Sequence, residues 1–232
     1  MRQDQLLEIL HGLTDDREAG QGSGVRLVDA CVSVLAVTGA GIMIMVDGGH
    51  RGTLGSSDAT MGVVEELQFT LGEGPCLDSY RLGRPVFEPA LADPATPRWP
   101  SFTPPAVAAG VQAIFGFPLQ IGAIRLGALD IYVDYPGDLS ETQLADALVM
   151  ADVVTHEILE LQAAAPPGAL ASELDTSESL RVGVHQAAGM LSVQLAIPVA
   201  DALIRLRAYT YASNRRVNDV AGDVVAGDLL IT

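Results

Sequence analysis

Two consecutive prolines near residue 166 constrain this chain more than any other feature. The segment Ala163-Ala-Ala-Pro-Pro-Gly168 cannot continue a helix, and its alanines and glycine offer little to pack. The hydrophobic pattern changes across it, from a mixture of strand and helix periods before to a purely helical period after. The sequence therefore divides into residues 1–162, a linker at 163–169 and residues 170–232.

The first segment reads as α+β. Gln3–Leu13 and Gly24–Leu35 have helical spacing, the latter with Val25, Val28, Cys31, Val32 and Leu35 along one stripe. Ala40–Asp47 is a strand, turned by Asp47-Gly48-Gly49 as in a hairpin. Val86–Glu88, Val111–Leu119 and Leu126–Asp134 are further strands, the last two paired across Gly122. Hairpin-linked strands among helices predict an antiparallel sheet flanked by helices. Ser140–Gln162 is one long helix, with Ser140 and Gln143 spaced as a capping box. Leu144, Ala147, Ala151, Val154, Ile158 and Leu161 form a seam that suits either the helix's own sheet or a second copy.

Residues 170–232 read as a three-helix bundle. One helix runs through Leu170, Leu174, Val184, Ala188, Leu191 and Leu195. A second starts at Pro198 and buries Val199, Ala202, Leu203, Leu206 and Thr210. A third carries Val217, Val220, Ala221, Val224 and Val225 and stops at Gly227.

Charge separates the halves further. The chain has no lysine, so its 13 basic residues are all arginine, against 29 acidic ones, for a net −16. Residues 1–167 hold 8 Arg and 22 acids, net −14, while residues 168–232 hold 5 Arg and 7 acids, net −2. Without lysine there is no Walker A loop, no Schiff-base catalyst and no S-x-x-K acylase. No apolar run reaches the length of a bilayer span, and the first residues lack a signal-peptide pattern. The expectation is a cytoplasmic protein with no membrane partner. Cys31 and Cys76 are too few for a disulfide scaffold.

Histidines 11, 50, 156 and 185 show no metal-ligand spacing, so neither a metal nor a cofactor is expected. The G-x-G at Gly72-Glu73-Gly74 does not follow a strand and leads into Pro75-Cys76, which excludes a dinucleotide fingerprint. Pro75 instead opens a helix. Cys76 in its first turn reads either as a small buried residue or as a thiol activated by the helix dipole. Met43 and Met45 share one strand face, and Phe115 and Phe117 share another. With Cys76 these form the candidate small-ligand pocket, although stripes of Met and Phe are usually core. No catalytic residue is assigned.

The second half concentrates Arg205, Arg207, Arg215 and Arg216 with Tyr209, Tyr211 and Asn214. Arg207, Tyr211 and Asn214 are spaced i, i+4, i+7, on one helix face. Guanidinium groups for phosphates and tyrosines for stacking suit structured or single-stranded RNA. A solvated helix face with Arg–acid pairs is the plainer alternative.

Two sets of motifs then stand out. Gly72-Glu-Gly-Pro-Cys-Leu-Asp78, Arg98-Trp-Pro-Ser-Phe102, Gly110-Val-Gln-Ala-Ile-Phe115 and Arg125-Leu-Gly-Ala-Leu-Asp-Ile-Tyr132 resemble the GAF sensory domain. Val184-His-Gln-Ala-Ala-Gly-Met190, Ala202 through Arg207, Asn214-Arg-Arg216 and Asp219-Val-Ala221 resemble the ANTAR module. In this order they are similar to the GAF–ANTAR regulators of actinobacteria. The resemblance implies a transcription antiterminator. Its three-helix module would bind paired stem-loops in nascent RNA, and its GAF domain would sense a signal and dimerise, with the connecting helix at the interface. By position, Arg207, Asn214 and Arg216 match the module's RNA-contacting motif, Gly189 the small residue that admits RNA to the first helix, and Ala188 a position commonly held by lysine. Arg215, Tyr209 and Tyr211 complete the candidate RNA surface. The alternatives are a ligand- or redox-sensing GAF protein whose bundle binds a protein, and a GAF-fold thiol reductase needing Cys31 close to Cys76.

Overall fold

The computed structural model describes residues 23–46, 49–93, 98–164, 183–213, 215 and 217–231. The chain forms two compact units, 1–173 and 174–232. The helix expected at Gln3–Leu13, the Asp47-Gly48 turn, the Pro166-Pro167 seam and the start of the helix expected from Leu170 lie outside the described residues.

In the first unit the elements run α1 (Ser23–Leu35), β1 (Gly39–Val46), β2 (Gly49–Ser56), α2 (Ala59–Leu71), α3 (Pro75–Leu82), β3 (Val86–Glu88), α4 (Thr103–Ala108), β4 (Ala113–Ile121), β5 (Ile124–Val133) and α5 (Glu141–Ala164). The five strands form one antiparallel sheet in the order β2-β1-β5-β4-β3. Central β5 is buried on both faces from Gly127 to Val133, which explains its nearly continuous apolar run.

Helices cover both faces. α1 lies on β1 and β2 and against α5, and α5 lies on β4 and β5. α1 approaches the sheet closely because both contacting positions are glycine: a Cβ on Gly55 would strike the backbone of Gly24. The other face carries α2, α3 and α4. There Met61, Val64, Trp99, Phe102 and Ala106 pack with Val86, Ile114 and Tyr132 of the strands.

The Ser140 capping box forms as expected. Gln143 N–H donates to Ser140 Oγ at 3.2 Å, and Ser140 N–H donates to Gln143 Oε1 at 3.1 Å. Gln143 also donates to the Leu35 carbonyl at 3.0 Å, joining the first turn of α5 to the end of α1. The α5 seam packs within its own unit, since Ala147, Ala151, Val154 and Ile158 are buried there.

The second unit holds helical residues 183–195 (α6), then α7 (Val199–Ser213) and α8 (Val217–Ala226). Their buried stripes are Val184, Ala187, Ala188 and Leu191; Ala202, Leu206 and Thr210; and Val217, Val220, Ala221 and Val224. These spacings are the helical ones of the sequence, except that Val199, expected in the second stripe, is exposed in the first turn of α7. After α6 the chain turns at Ala196, with φ 52°, and Ser192 Oγ donates to the Ile197 carbonyl at 2.6 Å.

Candidate functional site

One row of the sheet carries an arrangement that no apolar core requires. Gly41 of β1 and Gly116 of β4 both pair with Asp130 of β5, and Ser56 of β2 pairs with Gly41. Directly opposed residues point to the same face, here the face under α2 and α3. Asp130 therefore stands between two positions without side chains.

Polar groups from the helices occupy that space. Glu65 and Gln68, three residues apart on α2, both turn inward and are buried. Glu65 accepts a hydrogen bond from Ser56 Oγ at 2.6 Å and lies over Gly41, where a Cβ would collide with it. Gln68 spans the site. Its amide nitrogen donates to Asp130 Oδ2, and its Oε1 accepts from the Cys76 N–H at 2.9 Å. That N–H belongs to the first turn of α3, where helix donors lack intrahelical partners. Gln68 thus caps one element and binds the carboxylate of another.

Gly74 makes this possible. It precedes α3 with φ 136°, and a Cβ there would strike the Gln68 side chain. Pro75 occupies the first helical position and its carbonyl rests on Gly116, where a Cβ would sit 2.6 Å away.

Burial pushes the Asp130 carboxyl up to about 7, against the opposing effect of its hydrogen bonds with Gln68 and Cys76. Its Oδ1 has no well-aligned hydrogen-bond donor. Burial, and then the charges of Asp130 and Glu65, push the Cys76 thiol well above its ordinary value. This overrides the helix-dipole effect that the sequence position suggested: a fully buried thiol beside two carboxylates stays protonated. Its Sγ lies 3.8 Å from Met43 Sδ. Chemically, the site holds an acid whose charged form burial disfavours, beside a second carboxylate and a protonated thiol. It offers no activated nucleophile.

The GAF-like motifs assemble around this row. Asp78 accepts from the Trp99 indole at 2.9 Å, and Glu73 accepts from the N–H groups of Ser101 and Phe102 at 2.9 and 3.2 Å. The segments beginning at Gly72 and Arg98 are thereby locked together. Arg98 lies over the Trp99 ring, 4.5 Å from its centroid.

Of the five proposed pocket residues, the structure gathers Met43, Met45 and Cys76, packed with Leu77 and Ala128. Phe115 and Phe117 alternate with Gly116 and so lie on the opposite face, both against Phe87. The five do not line one site. Cys31, on α1, also belongs to that opposite face, and burial raises its thiol to about 12. The sheet thus separates the two cysteines, which a thiol reductase would need to bring together. Glu65, Gln68 and Asp130 were missed in the sequence. The available signal was Asp130 itself, one acid inside the apolar run Ala128–Val133.

In the second unit, Tyr211 is exposed on α7 and Arg207 and Tyr209 are half-buried. Arg215 is exposed and paired with Asp223 at 2.6 Å. Gly189 is half-buried, with open space where a Cβ would stand. Ala188 is fully buried in the α6 stripe. Asn214 and Arg216 lie outside the described residues. Among the described residues no group of His, Cys, Asp and Glu could hold a metal ion. No described helix is long and apolar enough to cross a membrane.

A family profile described as GAF domain matches residues 25–156, more than half the chain. No curated protein matches the chain. Among solved structures, the first unit is similar in fold to the cyanobacteriochrome TePixJ GAF domain. That match has 16% identity and a TM-score of 0.50, covering 65% of this chain and 94% of that one. The GAF domain of a phosphoenolpyruvate-protein phosphotransferase from Coxiella burnetii has 17% identity and a TM-score of 0.48, over 68% and 94%. A free methionine-R-sulfoxide reductase from Neisseria meningitidis has 11% identity and a TM-score of 0.47, over 69% and 89%. With the five-stranded antiparallel sheet, its two helical layers and a family match from Val25 to His156, the chain belongs to the GAF domain family of signal-sensing modules.

Proposed function

We propose that the chain is a regulator in which the GAF domain senses a signal and the C-terminal helices bind stem-loop RNA, acting in transcription antitermination. The observation that carries the RNA reading is the surface around α7: Arg205 and Tyr211 are exposed on it, Arg207 lies four residues before Tyr211, and exposed Arg215 stands two residues past its last residue, Ser213. Arginine for phosphate and tyrosine for stacking are the side chains that splayed RNA loops need. Asn214 and Arg216 extend this set in sequence. The −2 charge of residues 168–232, against −14 before, favours this unit as the one that meets RNA.

Ala188 bears on affinity. Its place in the buried stripe leaves phosphate contact to the arginines. Dimerisation through the GAF domain and α5 belongs to the same proposal. Because the inner seam of α5 is occupied by its own sheet, outward residues such as Leu148, which is exposed, would supply the contact. Light scattering that shows a monomer at micromolar concentration overturns the dimer. A cytoplasmic location fits a partner that is nascent RNA.

The deciding experiment titrates RNA carrying two tandem hairpins against the full chain, Arg207→Ala and Arg215→Ala/Arg216→Ala, at several salt concentrations. Both variants are expected to bind more weakly and with a flatter salt dependence. Unchanged, salt-insensitive binding in both removes the assigned site.

A second reading, in which the helices bind a protein, is favoured by Ile204 and Tyr211, 61% and 64% exposed and seven residues apart on α7. Failure to bind structured RNA at low salt, with recovery of a protein partner that Ile204→Ser abolishes, selects it.

A further inference from the structure

The β4–β5 hairpin outruns its neighbours. β1 pairs with β5 only as far as Gly127, and β3 pairs with β4 only as far as Gly116. β4 and β5 continue together to Ile121 and Ile124, which face each other across the Gly122-Ala123 turn. The last turn of the hairpin therefore lies past its ladders with β1 and β3, although β1 itself continues to Val46 beside β2. The base of the hairpin is fastened to the end of α3, where Arg125 donates to the Arg81 carbonyl at 2.6 Å and Gln120 donates to the Gly83 carbonyl at 3.1 Å.

These bonds gather an unusual set of side chains. Ile124 is 68% exposed, Leu82 52% and Ile121 44%. Gly122, Ala123, Arg81, Arg84 and Arg125 are exposed as well. Single apolar residues in water are ordinary, but two opposed isoleucines on a hairpin tip form a patch. The segments that build the tip carry arginine and no acid in a strongly acidic chain, while Asp47 of the β1–β2 turn lies outside the described residues. Residues 79–87 and 113–129 contain no Asp or Glu and hold three of the eight arginines of residues 1–167. Asp78 pairs with Arg81 only at 3.9 Å and also accepts from Trp99.

We propose that this tip is a docking surface for an anionic lipid bilayer. Ile121 and Ile124 enter the boundary between headgroups and acyl chains, while Arg81, Arg84 and Arg125 lie at the level of the lipid phosphates. The shape favours a bilayer, because an apolar hairpin tip needs no preformed cavity there. RNA is disfavoured, since it has no apolar acceptor for isoleucine. The chain's net −16 does not oppose local contact, because the field of distant acids is screened within about 8 Å at physiological salt. The absence of a spanning segment had suggested no membrane partner, but peripheral contact by a hairpin requires no span.

The test is co-sedimentation of the full chain with vesicles of phosphatidylcholine, alone or mixed with phosphatidylglycerol. Binding is expected only to the anionic vesicles and to weaken with salt. Ile121→Ser/Ile124→Ser and Arg81→Gln/Arg84→Gln should each weaken it roughly tenfold or more, with melting of the folded chain unchanged. Arg125 is spared because it holds the hairpin base. No binding at low salt, equal binding to both lipids, or unchanged binding in both variants overturns the proposal. So does binding of poly-glutamate or structured RNA that depends on the same residues without any vesicle binding.

Discussion

Gln68 on α2 reaches into the sheet and donates to the buried carboxylate of Asp130 on β5, while its other end holds the first turn of α3. One amide thus joins three elements. Gln68→Leu would remove the donor to Asp130 and leave the Cys76 N–H unpaired, so it should destabilise the first unit by roughly 3 kcal/mol. Asp130→Asn in the same chain should recover part of that loss, because the group left without its donor is then uncharged. Chemical denaturation followed by fluorescence of Trp99, the single tryptophan, reads this unit specifically. Strictly additive losses in the double variant would contradict the coupling.

Asp130 makes the first unit sensitive to pH. Its folded value, about 7, lies above the ordinary 3.8, so between the two the folded state binds more protons than the unfolded state. The stabilisation is complete below the ordinary value and disappears as pH rises through about 7. Denaturation midpoints should therefore increase from pH 8 to pH 5, with a slope approaching about 1.4 kcal/mol per pH unit. Asp130→Asn should flatten that slope. A slope that survives in the variant assigns the proton elsewhere.

Gly74→Ala tests the local geometry. Its φ of 136° is unfavourable for alanine, and the new Cβ would press on Gln68, so a loss of roughly 1–3 kcal/mol is expected. Gly110→Ala is the comparison: its φ of 102° is positive as well, but nothing lies within 4 Å of the added atom. The difference between the two variants isolates the collision with Gln68, and equal losses would show that it contributes nothing.

Neither cysteine should react with a thiol reagent in the native chain at neutral pH, because both are fully buried and both thiols are raised. Both should react once denaturant is added. Mild oxidant should not join them, since Cys31 and Cys76 lie on opposite faces of the sheet. Rapid native labelling of Cys76 would reopen its role as a sensing thiol.

Asp223 holds Arg215 in an exposed ion pair. Asp223→Asn should free the guanidinium, raise affinity for hairpin RNA a few-fold and steepen its salt dependence. Melting should not change, because such surface pairs contribute little. Reduced affinity in this variant would mean that the pair positions Arg215 rather than competing for it.

Much of the architecture was legible in the sequence. The sheet strands β1, β3, β4 and β5 and the capped α5 followed from apolar runs, Gly122 and the Ser140–Gln143 spacing. α2 was not found, despite Asp58 accepting from the Met61 N–H at its start and Gly72 in the left-handed conformation at its end. Its buried stripe is Met61, Val64, Glu65, Gln68 and Phe69, so two polar residues interrupt the apolar period. β2 was hidden for the opposite reason: glycines fill positions where α1 comes close. The site residues shared both difficulties. Asp130 is meaningful only beside Gln68, sixty-two positions away, and no local pattern links them.

Gly41 and Gly116 flank Asp130 on neighbouring strands, and neither could accept a Cβ without displacing Glu65 or Pro75. At position 116 the obstacle is the backbone of Pro75, so replacing the acid frees no room there, whereas at position 41 the obstacles are the side chains of Glu65 and Met61. Across descendants of this fold, position 116 should therefore stay glycine for as long as α3 keeps its seat on β4, while positions 41 and 65 are free to change together.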